Sequence, residues 1–210
     1  MPLADWVEVK GKHVTTIYVT HEHGDHYLGA PILLARFPDA RLVSSATVVE
    51  QIRPQFATPI VEKYWRPMFN GRVADGQVLP DVLADNVIDL EGHQITAHDV
   101  GQSDCEHSTF LHLEDASAVV VGDIAYNGVH MHLGYTDHAK RLAWIETIRS
   151  VATLGAQTVI AATAGPSRQR THRNAWTRAF GISRTSTAST RTESRSPTSS
   201  RRCSHCTVTG

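Results

Sequence analysis

The sequence is poor in cysteine and contains no long apolar run. Three cysteines in 210 residues, Cys105, Cys203 and Cys206, do not make a disulfide framework, which favours a reducing cytoplasm. The apolar runs fall far short of the ~20 residues of a membrane helix, so we expect no membrane span. Met1–Asp5 has neither a basic start nor an apolar core, so no signal peptide is predicted. The length fits one domain with an appendage.

Acidic residues and lysine are almost missing from residues 166–210. This segment holds nine arginines, no lysine and the single acid Glu193, and so carries +8; since the whole chain carries −1, residues 1–165 carry −9. Ser, Thr and Arg dominate it without hydrophobic periodicity, which predicts a disordered tail. A basic arm of this kind can bind nucleic acid, but we favour another origin and do not expect nucleic acid as a partner.

The densest group of metal-binding side chains is HEHGDH, from His21 to His26, directly after the β-type run Val14–Thr20. Imidazole nitrogens and carboxylate oxygens are ligands of zinc and similar ions. A strand that ends in a short loop can direct several of them to one point, and we attribute to Gly24 the backbone freedom this needs. The pattern predicts a metal site; the alternative is a polar loop whose histidines bond only to the backbone.

Hydrophobic periodicity predicts alternating helices and strands up to residue 162. The predicted strands are Val14–Thr20, Arg41–Ser44, Val87–Leu90, Gln94–Val100, Thr109–Leu113, Ala118–Val121 and Thr158–Ala162. The predicted helices are Tyr27–Phe37, Ala46–Phe56 and His138–Leu154, the last with an apolar face at Leu142, Ile145, Ile148, Val151 and Ala152. This order favours an α/β (α+β) fold of two mixed sheets packed face to face, with helices outside.

The H-x-H-x-D-H spacing at residues 21–26 resembles the signature of the metallo-β-lactamase-fold hydrolases. The run Val119–Asp123 resembles the family's strand that delivers a bridging aspartate. The resemblance covers roughly residues 5 to 161. It implies an αββα four-layer sandwich over residues 1–165, incomplete at both ends. It also implies a hydrolase of a small-molecule ester, thioester, lactone, lactam or phosphoester, since fold alone does not choose among these.

The resemblance also implies a ligand set. His21 and His23 would bind a first metal, Asp25 and His26 a second, and Asp123 would bridge the two. The ions would be zinc, one or two of them, with iron or manganese as alternatives. Asp25 would also orient or deprotonate the attacking water.

Two further family histidines have no counterpart at the matching positions. One position is Gln102, whose neutral amide oxygen binds zinc poorly; Asp104 or His107 is a possible replacement, and Cys105 a possible soft ligand as thiolate. The other histidine ends the last strand as Ala-Gly-His, where in this chain Ala161 is followed by Ala162–Pro166. A damaged relative with weak metal binding and little or no catalysis is therefore the alternative function.

Two flanking segments are candidates for substrate contact. His130 and His132 follow Asp123 in a loop, and we predict for His130 a role in substrate binding or leaving-group protonation. The alternative is a loop histidine bonded to backbone and water. The aromatic stretch Tyr64–Phe69 predicts either a lid packed on the core or a wall of the pocket.

We expect a truncated start and a shifted reading frame after residue 161. Family members carry two or three more strands before the motif. Deleting one G from the hypothetical codons GCC GGC CAC AGC CGG CCC, for Ala-Gly-His-Ser-Arg-Pro, leaves codons for Ala-Ala-Thr-Ala-Gly-Pro, the sequence at residues 161–166. Resequencing the gene should restore Ala-Gly-His in the corrected frame; an intact frame would contradict this origin of the tail.

Overall fold

A computed structural model describes residues 3–57 and 59–165 and the backbone of residues 172–173. Its first sheet has three short parallel strands in the order β1-β2-β3. They are β1 (Thr16–Tyr18), β2 (Arg41–Ser44) and β3 (Asp81–Val82). The segment HEHGDH, His21–His26, follows β1 of this sheet, and we call it the metal motif.

The second sheet has six strands in sequence order. They are β4 (Val87–Leu90), β5 (His93–Val100), β6 (Ser108–Leu113), β7 (Ala118–Gly122), β8 (Thr158–Ala161) and β9 (His172–Arg173). All neighbours are antiparallel except β7 and β8. Because parallel neighbours need a crossover connection, a long helix joins β7 to β8. The predicted two-sheet fold with flanking helices is confirmed.

The helices flank the two sheets. They are α1 (Leu3–Val9), α2 (Gly24–Tyr27), α3 (Ala30–Arg36), α4 (Ala46–Ala57), a π-helical turn (Val61–Trp65), α5 (Arg66–Met68) and α6 (His138–Ala152). The helix predicted over Tyr27–Phe37 is α3, which begins at Ala30, and the metal motif itself overlaps the separate short helix α2, which was not predicted. The stretch around Tyr64 is helical. Within the described residues, none of these helices combines the length and apolarity needed to cross a bilayer.

The two sheets are joined at the end of β1. The backbone N–H and the hydroxyl of Thr109 both donate to the Thr20 carbonyl, at 2.9 and 2.8 Å. The Tyr18 hydroxyl donates to Thr109 Oγ1 at 2.9 Å, and His21 forms an isolated bridge with Ser108. We call this contact between residues 18–21 and 108–109 the sheet seam; it holds the metal motif against the second sheet.

The buried face of α6 differs from the predicted one. Trp144, Thr147, Ile148 and Val151 are buried, whereas Leu142 and Ile145 are largely exposed. The indole N–H of Trp144 donates to the Ile124 carbonyl at 3.0 Å. This bond turns the helix so that the i, i+3, i+4, i+7 stripe starting at Trp144 faces the core.

The disorder predicted for residues 166–210 concerns a segment that lies outside the described residues, apart from the backbone of β9. There, residues 172 and 173 pair antiparallel with Val159 and Thr158 of β8. The two cysteines at positions 203 and 206 also lie outside the described residues.

Two isoleucines of α6 form a matched pair for testing this packing. Ile148 is 3% exposed and Ile145 is 41% exposed. We expect Ile148→Ala to lower the free energy of unfolding by about 2–5 kcal/mol, because it leaves a cavity, and Ile145→Ala by no more than about 0.5 kcal/mol. Urea unfolding followed by circular dichroism measures both. Equal losses would contradict the observed orientation of α6.

Candidate metal centre

His21 is the most deeply buried residue of the motif. Its side chain is 1% exposed, and its Nδ1 lies 3.0 Å from Thr20 Oγ1. Its Nε2 is buried and has no hydrogen-bond partner among the described residues. Since buried polar atoms are nearly always paired, this nitrogen is the observation that best fits a bound metal ion.

His26 and Asp123 lie beside this nitrogen. One ligand atom from each of His21, His26 and Asp123 lies within 4.8 Å of the others. His26 Nε2 is 3.5 Å from Asp123 Oδ2 and 3.4 Å from Asp25 Oδ2. Two imidazoles and a carboxylate are a zinc-type donor set, so these residues fit a divalent ion.

Asp104 brings a second carboxylate to the same point. Its Oδ2 lies 2.9 Å from His23 Nδ1 and 3.7 Å from His21 Nε2, and its side chain is 1% exposed. Burial by itself raises the pKa of Asp104, but the hydrogen bond from His23 and the charges of both histidines hold that pKa below its usual range. Asp104 is therefore a carboxylate at neutral pH.

The Gln102 side chain bonds to the loop that carries Asp104. The Gln102 amide donates to the carbonyls of Ser103 and Cys105, at 2.7 and 3.1 Å, and so closes the loop on itself. His107 is only half-buried, and its carbonyl faces the Cys105 thiol at 3.6 Å. Of Asp104 and His107, Asp104 is the one that lies in a donor group with His21, and Cys105 belongs to the same group.

Asp123 is held at both carboxylate oxygens. The Tyr126 hydroxyl donates to Oδ2 at 2.7 Å, and the Thr163 hydroxyl donates to Oδ1 at 2.9 Å. Neither residue was identified from the sequence. Tyr126 follows Asp123 by three residues, which is a usable signal for a residue in the same turn, whereas Thr163 reaches Asp123 only because β7 and β8 are neighbours.

The two histidines His21 and His26 differ in their pKa values because their neighbours differ. Burial and the nearby His26 lower the pKa of His21 to about 4, so His21 is neutral, the form that binds metals. Burial by itself lowers the pKa of His26, but hydrogen bonds to Asp123 and Asp25 raise it to about 10. Burial would raise the pKa of Asp123, yet the hydrogen bond from His26 lowers it to about 2. Metal binding at His26 therefore releases a proton.

A cleft of about 240 Å³ opens onto these residues. Its lining is His23, Asp25, Tyr64, Trp65, Met68, Asp104, Asp123, Tyr126, His132, Tyr135 and Thr163. The hydroxyls of Tyr64 and Tyr135 lie 2.8 Å apart across it. The aromatic stretch thus serves both predicted roles, because Trp65 and Phe69 also pack on the core around α4.

The sequence profile of the Metallo-beta-lactamase superfamily matches residues 2–163. The chain belongs to this superfamily. The match includes the H-x-H-x-D-H motif and Asp123, so the resemblance stated from those residues is confirmed at the level of the superfamily.

Individual members of the superfamily share less with this chain. A hydroxyacylglutathione hydrolase of Synechococcus sp. (strain CC9605) is 37% identical over 51 residues, which are 24% of this chain and 20% of that protein. A beta-lactamase domain protein from Burkholderia ambifaria has a TM-score of 0.55 at 15% identity, over 75% of this chain and 53% of that one. The metallo-beta-lactamase FIM-1 from Pseudomonas aeruginosa, solved in a mono-zinc form, has a TM-score of 0.50 at 19% identity, over 78% and 65%. The solved structures show the fold, and the chain spans less than two thirds of each of these relatives.

The two residues predicted for catalysis lie in different environments. Asp25 lines the cleft with its side chain 47% exposed. His130 is exposed, and among the described residues that line the cleft its loop contributes His132 and Tyr135 but not His130.

Gly24 has a different role from the predicted one. Its φ is not positive, so the motif does not need the backbone freedom of glycine there. Instead, a Cβ at this position would lie 2.5 Å from the Trp65 ring and 2.7 Å from Leu28 Cδ1. The residue is glycine because Trp65 packs directly on the loop.

Gly24→Ala should therefore displace Trp65 or the metal motif. We expect a loss of about 1–3 kcal/mol in the free energy of unfolding, the usual cost of overpacking, and weaker zinc binding. Gly29→Ala is the matched control, since a Cβ there meets no described atom within 4 Å. Urea unfolding and zinc titration measure the two effects. Unchanged stability and zinc affinity in Gly24→Ala would contradict the packing role.

Proposed function

We propose that this chain is a metal-dependent hydrolase that uses a metal-activated water on a small ester, thioester, lactone, lactam or phosphoester. The observation that carries the proposal is the buried Nε2 of His21, unpaired among the described residues and surrounded by other metal-ligand side chains. Among the described residues the buried Nε2 atoms of His21 and His98 both lack a partner, and of these two histidines only His21 belongs to a group of metal-ligand side chains.

We assign the ligands to two neighbouring positions. His21 and His23 serve the first, with Asp104 in place of the imidazole that Gln102 does not supply. Asp25 and His26 serve the second, and Asp123 lies between the two. These nitrogen and oxygen donors suit zinc, and also iron or manganese, with one or two ions per chain.

The residues around the cleft supply the rest of the chemistry. An ion held here would lower the pKa of its bound water toward about 7. Burial by itself raises the pKa of Asp25, but the hydrogen bond with His26 lowers it, so Asp25 is ionised and able to orient the water or accept its proton. His132, which lines the cleft, takes in this proposal the leaving-group role predicted for His130.

The cleft also limits the substrate. A volume of about 240 Å³ admits a small molecule, and the wall of Tyr64, Trp65 and Met68 favours one with an apolar group beside the reacting bond. The hydroxyacylglutathione hydrolase among the relatives puts hydroxyacylglutathiones first among the compounds to screen. A reducing cytoplasm remains our proposed location, and the oligomeric state is left open.

A second candidate is a relative that has lost catalysis and binds metal weakly. The bonding of the Gln102 amide to its own loop favours it, because that position offers no imidazole. The two candidates differ in metal affinity, which can be measured without a known substrate.

The first test is metal content by elemental mass spectrometry after mild dialysis. We expect about one or two equivalents of zinc, iron or manganese per chain. His23→Ala should lose most of the metal and any hydrolysis that a chelator abolishes, because it removes a ligand. His93→Ala is the control, since His93 is exposed on the β4–β5 hairpin and pairs with Asp115. Metal-free wild type would favour the inactive relative, and chelator-sensitive activity in His23→Ala would refute the assigned site.

A second pair of variants tests the replacement ligand. Asp104→Ala should weaken zinc binding by more than about 100-fold, because loss of an outer contact alone costs about 10–100-fold. His107→Ala should leave zinc affinity nearly unchanged. Competition titration with a zinc chelator compares them, and the reverse order would assign the position to His107.

A further inference from the structure

We propose that Cys105 is a thiolate ligand of the metal ion on the His21 side of the centre. This inference rests on the proposed function and deepens it, because it adds a ligand to the same site and restricts the metal. The H-x-H-x-D-H motif contains no cysteine, so the motif does not point to this residue.

The geometry that supports the proposal is a second group of donors around His21. One ligand atom from each of His21, Asp104 and Cys105 lies within 4.8 Å of the others, and all three residues are buried. The unpaired His21 Nε2 lies 3.7 Å from Asp104 Oδ2. A buried nitrogen, carboxylate and sulfur at this separation form the donor set of a three-ligand zinc site.

The surroundings of Cys105 are polar for a buried cysteine. Its Sγ lies 3.3 Å from Glu22 Oε2 and 3.3 Å from Ser108 Oγ. The Cys105 thiol donates to Glu22 Oε2, so without a cation the sulfur carries its proton. A cysteine that only fills space normally lies among apolar side chains.

Coordination of the ion by Cys105 requires no oxidant or reductant. The Sγ–H bond breaks, a sulfur lone pair forms the bond to the ion, and Glu22 Oε2 accepts the proton. Glu22 is only half-buried, so it can pass this proton to solvent. A coordinating thiol is deprotonated outright.

A thiolate ligand restricts the metal. Thiolates favour zinc, whereas carboxylate and water ligands suit manganese. Cys105 therefore predicts a preference for zinc over manganese that the other ligands of the centre do not require.

The test uses Co²⁺ as a spectroscopic substitute for zinc in the full chain carrying Cys203→Ser and Cys206→Ser. Those two residues are the only other cysteines, so any thiolate signal then comes from Cys105. We expect visible cobalt bands that saturate at one or two equivalents, together with a near-ultraviolet sulfur-to-cobalt charge-transfer band. Adding Cys105→Ser should remove the charge-transfer band, weaken zinc binding about 10-fold or more, and leave Mn²⁺ binding nearly unchanged.

The outcomes separate this inference from the proposed function. Visible cobalt bands without a charge-transfer band would overturn the role of Cys105 and leave the metal site standing. No cobalt binding would overturn both. If Cys105→Ser fails to fold, as judged by circular dichroism, the spectrum of the parent with Cys105 intact decides by itself. His21→Ala in the same parent should lose the charge-transfer band, since His21 holds the same ion.

Discussion

The sheet seam is the constraint on which the centre depends. Thr20 accepts two hydrogen bonds from Thr109, so the end of β1 cannot move away from the start of β6. Gly122 lies against the same place, with a φ of 52°, and a Cβ on it would be 2.7 Å from Thr20 Oγ1. The close approach of β1, β6 and β7 brings three separate chain segments together: the HEHGDH loop, the loop with Asp104, and Asp123.

The proposed metal centre has glutamine, Gln102, at the position where the family has a histidine, and the charge of Asp104 compensates for this difference. Asp104 supplies a carboxylate instead, and it is stabilised by His23 at 2.9 Å and by Ser103 at 2.8 Å. The site thereby gains a negative charge, which favours a divalent cation and offsets the desolvation of that cation. Cys105 lies in the same donor group, and its thiol donates to Glu22.

The aromatic residues Tyr64, Trp65 and Phe69 connect the packing of the metal motif with the shape of the cleft. Trp65 packs on Gly24 of the metal motif and stacks with Phe69, while Tyr64 reaches across to Tyr135. The side chains that shape the substrate space therefore also hold the metal motif in place. A substitution among these aromatic residues is expected to alter both the substrate preference and the position of His23, whose ring is 5.5 Å from that of Tyr135.

The sequence by itself determined the superfamily and most strands, and it indicated the five proposed ligands in the motif and at the end of β7, because these features are local in the chain. The strands Arg41–Ser44 and Val87–Leu90 have their predicted bounds, since β-branched and aliphatic runs between turns are read directly. Only the tertiary structure showed that Asp104, which we propose as a ligand in place of Gln102, lies beside His21 and His23, that Thr163 donates to Asp123 and that Trp144 lies on the buried face of α6. Each of these depends on a contact between distant segments, and periodicity or spacing carries no information about such contacts. The role of Gly24 was missed for the same reason: the ring that excludes a side chain there belongs to Trp65, 41 positions further along the chain.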